Sequence, residues 1–378
     1  MSISCADNLH RFYQICGILP IQLCINFKAN QSKKLRRYSI FLLWCLSTSI
    51  FSVFYERDLF LNSKKSNVGE TVDFIQLVLM RMSSIIIISE AFLTRQHLIN
   101  YFNNLHDVDE LMMKINVKMN FQAEQSQNFI KIFIILLLYS IFESFCLVTY
   151  KYRNRTDLLI YWISYMPFLF FSCIRYLQLM NLIIIIKRRI DIVNEKLKQI
   201  TFIHQHSMEN LQHLRMICYK LSIMSQMINL SFGLSTLINL ANDFITITLN
   251  SYFTFVAFQN LKFKSIIKII EIIFWSLPHC MNIIALATVC QLTLLSTNRT
   301  AMFLHRINFN LSKKQHSIFM SHFNLQLLQQ KIQFHAFGFF NIDFTLLFAI
   351  AATVTTYLVI LIQFHLSEKY KGTEMTFT

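Results

Sequence analysis

Glycine and proline are scarce in this chain, with 5 Gly and 3 Pro among 378 residues. Both residues interrupt helices, so their scarcity favours long unbroken ones. It also argues against a transporter built on helices broken at the membrane midplane, and no internal repeat is evident. Cysteine is present but unpatterned. The nine cysteines form no pair at metal-ligand spacing, and most lie in or near apolar stretches. They read as small buried hydrophobes rather than as a disulfide framework. A phosphate-binding glycine loop and a nucleophile elbow are also missing. Histidines such as His204 and His206 are scattered through polar stretches. No enzyme chemistry, cofactor or metal site is therefore expected.

Apolar residues are abundant: 54% of the chain is hydrophobic and 37 residues are Phe. That is not a soluble composition. A spanning helix needs about 20 largely apolar residues. Seven stretches qualify, at residues 38–55, 71–93, 129–150, 158–186, 228–258, 266–290 and 344–364. The fourth and fifth exceed what a bilayer requires and are expected to project into water as continuous helices. The expected fold class is an all-α integral membrane protein of seven transmembrane helices. No cleavable signal is visible in the first 25 residues, so the first span is expected to direct membrane insertion.

The net charge of +15 raises the question of nucleic acid. The Lys and Arg residues flank apolar stretches instead, as cytoplasmic loops facing anionic lipid do, so no nucleic-acid partner is expected. With the N-terminus inside, basic residues favour the cytoplasmic side by roughly two to one. The C-terminus then lies outside. The sequon at Asn154, with Thr156, falls in an outer loop under this assignment and is a candidate glycosylation site.

The expected organisation follows from these boundaries. Residues 1–37 form a cytoplasmic segment, with an interfacial helix over 12–23 broken at Gly17–Pro20 and a linker-like stretch over 30–37. Spans one to four occupy 38–186, and a cytoplasmic helical extension occupies 187–227. Spans five and six lie within 228–290, a cytoplasmic anchor region fills 291–343, span seven covers 344–364, and residues 365–378 form a polar extracellular tail. The extension keeps a helical stripe at Ile190, Val193, Leu197 and Ile200. The anchor region does likewise at Ile318, Leu325, Leu328 and Ile332. Such stripes must be buried on each other or on a partner subunit.

Polar residues inside spans are functional candidates by default. Arg81 and Glu143 lie at comparable depth and can pair. Glu271, Trp275 and His279 recur one turn apart on span six, where a carboxylate beside an aromatic face suits a hydroxyl-rich or cationic ligand. Trp162 and Tyr165 on span four, with Asn239 and Asp243 on span five, are candidates to face that stripe. The alternative is an interfacial aromatic belt with structural hydrogen bonds. Span seven carries small and polar residues at Thr345, Ala349, Ala352, Thr356 and Gln363, all on one face. Such a face serves close helix packing or a pore wall.

Span seven also carries Thr356-Tyr357, five aliphatic residues, then Gln363-Phe364. The segment Phe337-Gly338-Phe339-Phe340-Asn341-Ile342-Asp343 stands just before it. On these residues the chain resembles the insect gustatory receptors of the wider insect chemoreceptor superfamily. Weaker echoes run through Arg95, Leu98 and Leu105, through Asn194 and Leu197, and through Tyr219, Leu221, Asn229 and Phe232. The resemblance implies a ligand-gated cation channel in the plasma membrane of sensory-neuron dendrites. It implies a homo- or hetero-tetramer with related subunits, and a small-molecule tastant and membrane lipids as partners. Span seven would line the pore, with Gln363, Phe364, Val359 and Thr356 as gate candidates, while Tyr357 braces it. Within the family, bitter or aversive modality is more frequent for such chains than sugar detection. Two alternatives are a seven-helix receptor coupled to a G protein and a membrane transporter. The first wants an Asn-Pro motif in its last helix, whereas the only prolines here are Pro20, Pro167 and Pro278.

Overall fold

The computed structural model describes residues 21–23, 29–31, 68–117, 130–141, 144, 158–203, 208–259, 263–307 and 314–374. In chain order the elements begin with strands β1 (Ile21–Leu23) and β2 (Ala29–Gln31). Helices α1 (Val68–Leu93), α2 (Arg95–Lys114), α3 (Ile130–Ile141), α4 (Leu158–Ile203), α5 (Met208–Gln259), α6 (Phe263–Arg306) and α7 (Lys314–Gln329) follow. Strands β3 (His335–Ala336) and β4 (Phe340–Asn341) lead into α8 (Phe344–Glu374).

Four helices among the described residues are long and apolar enough to cross a membrane, drawn from α4, α5, α6 and α8. The protein is an all-α membrane protein, with two short antiparallel strand pairs among the described residues. The expected first span lies outside the described residues. So do Asn154, Glu143 and the last residues of the third span.

The 46 residues of α4 rise about 69 Å at 1.5 Å each. The 52 residues of α5 rise about 78 Å. Both outrun a hydrocarbon core of about 30 Å, and α4 does so although Pro167 lies within it. Ile190, Val193 and Leu197 are buried on the extended part of α4, so that stripe faces inward as read. The core forms where α4 meets α6 and α5, with α1, α2 and α8 also against α5. On α2 the buried side is Leu98, Tyr101, Phe102, Leu105, Val108 and Met112, an i, i+3/i+4 pattern. The echo residue Asn194 ties α4 to α6. Its Nδ2 donates to the Ser296 carbonyl at 2.9 Å and its Oδ1 accepts the Thr300 hydroxyl at 2.7 Å.

Three expectations need correction. Ile21–Leu23, assigned to an interfacial helix, is instead a strand paired with Ala29–Gln31, which takes in the start of the supposed linker. Pro20 immediately before it, lacking an N–H, suits an extended start better than a helix interior. The stripe Ile318, Leu325 and Leu328 on α7 faces outward, while Phe323 is fully buried. Phe319, Met320 and Leu327 pack with Phe323 against the core, so the inward face is the neighbouring stripe. Finally, α8 continues helically through Glu374 rather than yielding to a polar tail at 365.

Candidate functional site

Helix α5 buries a polar stripe at Ser235, Asn239, Asn242, Thr246 and Asn250, at helical spacing, with Asp243 beside it. Polar groups in a membrane helix need protein cover, and α4 and α6 supply it. Asp243, 1% exposed, is the centre. Its Oδ1 lies 2.6 Å from His279 Nδ1 on α6, and its Oδ2 accepts the Tyr176 hydroxyl of α4 at 2.8 Å. One carboxylate thus ties three helices.

Beside this centre lies a small cavity. Ser83, Ser172, Asn242, Asp243, His279 and Asn282 supply its polar wall. Met80, Tyr139, Phe168 and Leu169 supply the apolar side. Its core has room for about one water molecule. Asn242 Oδ1 is buried there, and no described residue donates to it. Its walls offer acceptors on one side and apolar surface on the other, and a ligand larger than water needs them to part.

Of the predicted pocket residues, Asp243 and His279 come into direct contact. Asn239 is buried on the same stripe, one turn from Asp243, but Asn242 lines the cavity in its place. Trp275 is half-buried against the apolar core and is not among the cavity's lining residues. Glu271, Trp162 and Tyr165 stand on α6 and α4, with side chains outside the described residues. Arg81 is buried and its guanidinium carbon lies 5.9 Å from the Phe168 ring centroid, next to the cavity. Sequence reading missed Tyr176, Asn242 and Asn282. The first was hidden because Tyr in a span reads equally as belt or core, and the asparagines because interhelical register cannot be read from periodicity.

Helix α8 presents a different environment. Only 6% of its apolar window is buried, against 83% for α4. Leu346 is buried, and Leu347 and Ile350 pack against the core. Thr345, Ala349, Ala352, Thr356 and Gln363 are all exposed, so the small and polar stripe is the outward face. Val359 (48%) and Phe364 (69%) are exposed as well. The Thr356 hydroxyl donates to the Ala352 carbonyl at 3.0 Å. Tyr357 is half-exposed and meets Phe244 of α5 edge-on, with ring centroids 6.0 Å apart. The Tyr252 hydroxyl and His365 Nδ1, 3.2 Å apart, join the far ends of α5 and α8. At its start, Asp343 Oδ1 accepts the Thr345 N–H at 2.9 Å, a helix N-cap.

Fold and site define a multi-pass membrane protein of long helices, with a buried polar centre between α4, α5 and α6. The chain belongs to the 7tm chemosensory receptor family, whose profile matches residues 8–368. It is 29% identical to gustatory receptor 2a of Drosophila melanogaster over 97% of both chains. With gustatory receptor 68a of the same fly it shares 32% identity over 58% of this chain and 57% of the other. The fold is that of the insect olfactory receptor OR5 from Machilis hrabei, with a TM-score of 0.69 over 95% of this chain and 99% of that one, at 10% identity. The complex of that receptor with eugenol matches at a TM-score of 0.70, over 95% of this chain and 97% of that one, also at 10% identity.

Proposed function

We propose that the protein is a gustatory receptor subunit that acts as a ligand-gated cation channel. Four copies, identical or related, assemble with α8 around a central pore in the plasma membrane of sensory dendrites. The observation that carries this reading is the exposure of α8. A membrane-length helix whose Thr, Ala and Gln face is left uncovered by its own chain calls for cover by other copies or for an aqueous path. Gln363, Phe364, Val359 and Thr356 lie on that uncovered side as gate residues, and Tyr357 braces α8 on α5.

The tastant site is the cavity beside Asp243 and His279, with Asn239, Trp275, Glu271, Trp162 and Tyr165 around it. A relative by fold, OR5, has been solved with a small organic ligand, eugenol, which supports a small-molecule ligand here. The modality we propose is bitter or aversive rather than sugar. Seven spans, an internal N-terminus, an external C-terminus and cytoplasmic extensions of α4 to α8 complete the arrangement. The lengths of α4 and α5 and the basic flanks support them.

The first experiment places an epitope tag after Thr378 and stains intact, then permeabilised, cells. Staining of intact cells is expected. Staining only after permeabilisation, with surface delivery confirmed separately, would overturn the orientation and favour a conventional coupled receptor. Asn154→Gln is expected to remove a glycan and raise gel mobility, and an unchanged mobility would withdraw Asn154 as a topological marker.

A further inference from the structure

A second polar centre lies on α5, about two turns before Asp243. Glu90 of α1 and Arg175 of α4, 6% and 2% exposed, pair at 3.1 Å. The pair also engages the backbone of α5. Glu90 Oε1 accepts the Leu234 N–H at 2.8 Å, and Oε2 accepts the Ser235 N–H at 3.1 Å. Arg175 Nη2 donates to the Ser231 carbonyl at 2.6 Å, and its Nε donates to Ser235 Oγ at 3.1 Å. The Thr94 hydroxyl reaches the same Ser231 carbonyl at 3.4 Å. The Arg175 guanidinium carbon stands 3.8 Å from the Phe232 ring centroid.

In an unbroken α-helix the Ser235 N–H would donate to the Ser231 carbonyl. Here the carbonyl also takes Arg175 and the amide also reaches Glu90, while α5 stays helical through the turn. An amide hydrogen aimed at a carboxylate is not available at full strength to its own ladder. Gly233, a weak helix former, sits in the middle of this turn.

A Cβ at Gly233 would come within 3.1 Å of the Phe337 nitrogen and 3.2 Å of its Cα. Glycine therefore lets α5 seat the β3–β4 turn directly. That turn has positive φ at Phe337 (50°) and Gly338 (79°), and Phe339 N–H donates to the Ala336 carbonyl at 3.0 Å. These are the features of a tight hairpin turn, and a bulky side chain such as Phe337 needs support to hold a left-handed φ. Asn229, one turn earlier on α5, fastens the same hairpin. It donates to the Gln333 carbonyl at 2.9 Å and accepts the His335 N–H at 3.2 Å. Helix α8 begins two residues after β4.

We propose that Glu90 and Arg175 are positioning residues for gating. They clamp the Ser231–Ser235 turn of α5, which serves as a hinge once released, and the hinge sets the position of α8 through the contact of Gly233 with Phe337. The proposal rests on α8 lining the pore. Asp243 lies eight residues beyond Ser235, about 12 Å along the same helix. A ligand that shifts α5 at the cavity moves the hinge with it.

The test is hydrogen–deuterium exchange on the full-length protein in detergent, together with whole-cell currents. Glu90→Gln is expected to raise exchange of residues 230–238 about tenfold or more, the factor for losing a charge-assisted hydrogen bond. The rest of α5 should exchange as before. Unchanged exchange at 230–238 would mean an intact ladder and overturn the hinge. A rise spread evenly over all helices would reduce the pair to a core ion pair and overturn it too. If Glu90→Gln does not fold, Arg175→Lys keeps the charge but cannot serve Ser231 and Ser235 together, and a smaller local rise is expected. Gly233→Ala is expected to raise exchange at 335–341, and an unmoved hairpin would overturn the seating. Wild-type protein without current would remove the pore reading while leaving the exchange result standing. Current present, but with basal opening and agonist potency unaltered in a variant that does open the turn, would overturn the coupling.

Discussion

His279 Nδ1 lies 2.6 Å from Asp243 Oδ1, joining α6 to α5 in a site where both side chains are at least nineteen-twentieths buried. The Tyr176 hydroxyl occupies the other carboxylate oxygen at 2.8 Å. Asp243 therefore has a donor on each side, and removal of one leaves a buried carboxylate oxygen without its partner. Tyr176→Phe is expected to destabilise by about 1–3 kcal/mol, as for an orphaned buried acceptor. His279→Phe is expected to cost more, about 3–5 kcal/mol, as when one partner of a buried pair is removed. Thermal unfolding of the detergent-solubilised receptor checks the ranking. A milder effect for His279→Phe than for Tyr176→Phe would make Tyr176 the principal partner.

Asn242 faces the cavity with an acceptor oxygen that no described residue satisfies. A ligand donor is the natural partner. Asn242→Leu is expected to raise the half-maximal agonist concentration tenfold or more, about the factor for one lost hydrogen bond in a buried site. Maximal current should stay near wild type. Trp275 lies outside the lining, so Trp275→Ala is expected to shift potency less, about threefold, through its packing against the core. Concentration–response curves decide, and an unmoved curve for Asn242→Leu would take the cavity out of ligand binding.

Long helices were legible because the apolar and amphipathic patterns of residues 158–203 and 208–259 run on past a single proline, Pro167. Four of the expected spans fall within α4, α5, α6 and α8, and a fifth matches α1. Partner choice was not legible. Arg175 falls within the expected fourth span, but Glu90 is 85 residues away and nothing in either local pattern names the other. Asp243 was expected to face the stripe that carries His279, but which residue of that stripe it meets was not legible. On α7 two adjacent stripes are apolar, Ile318–Leu325–Leu328 and Phe319–Phe323–Leu327. Periodicity detects both equally, and only packing selects the one with Phe323.

Arg189 of α4 is fully buried and grips Asp109 of α2 with both ends of its fork. Nε meets Oδ1 at 3.2 Å and Nη2 meets Oδ2 at 3.3 Å. Nη1 also donates to the Ile185 carbonyl at 3.3 Å. A planar bidentate donor is not replaced by an ammonium. Arg189→Met, which strands Asp109, is expected to cost about 3 kcal/mol, the lower edge for a buried pair because Asp109 retains some contact with solvent. Arg189→Lys is expected to recover about half of that loss. Equal melting temperatures for Arg189→Met and wild type would show that the pair's desolvation cancels its attraction.

Gln363 and Phe364 stand on the outward side of α8, and Phe364 is 69% exposed in the single chain. If four copies turn this face to a common axis, Phe364 narrows the path and Gln363 supplies its polar ring. Phe364→Ala is expected to increase basal current, because a smaller side chain widens an apolar constriction and lets it wet. Gln363→Leu is expected to lower conductance or alter rectification, because a ring that replaces ion hydration is lost. Surface expression should be unaffected, since neither side chain is buried in the protomer. Tyr357→Phe keeps the edge contact with Phe244 and serves as the control on the same helix. Single-channel recordings separate conductance from open probability. Wild-type currents from both Phe364→Ala and Gln363→Leu would place the conduction path elsewhere and return the exposed face of α8 to helix packing alone.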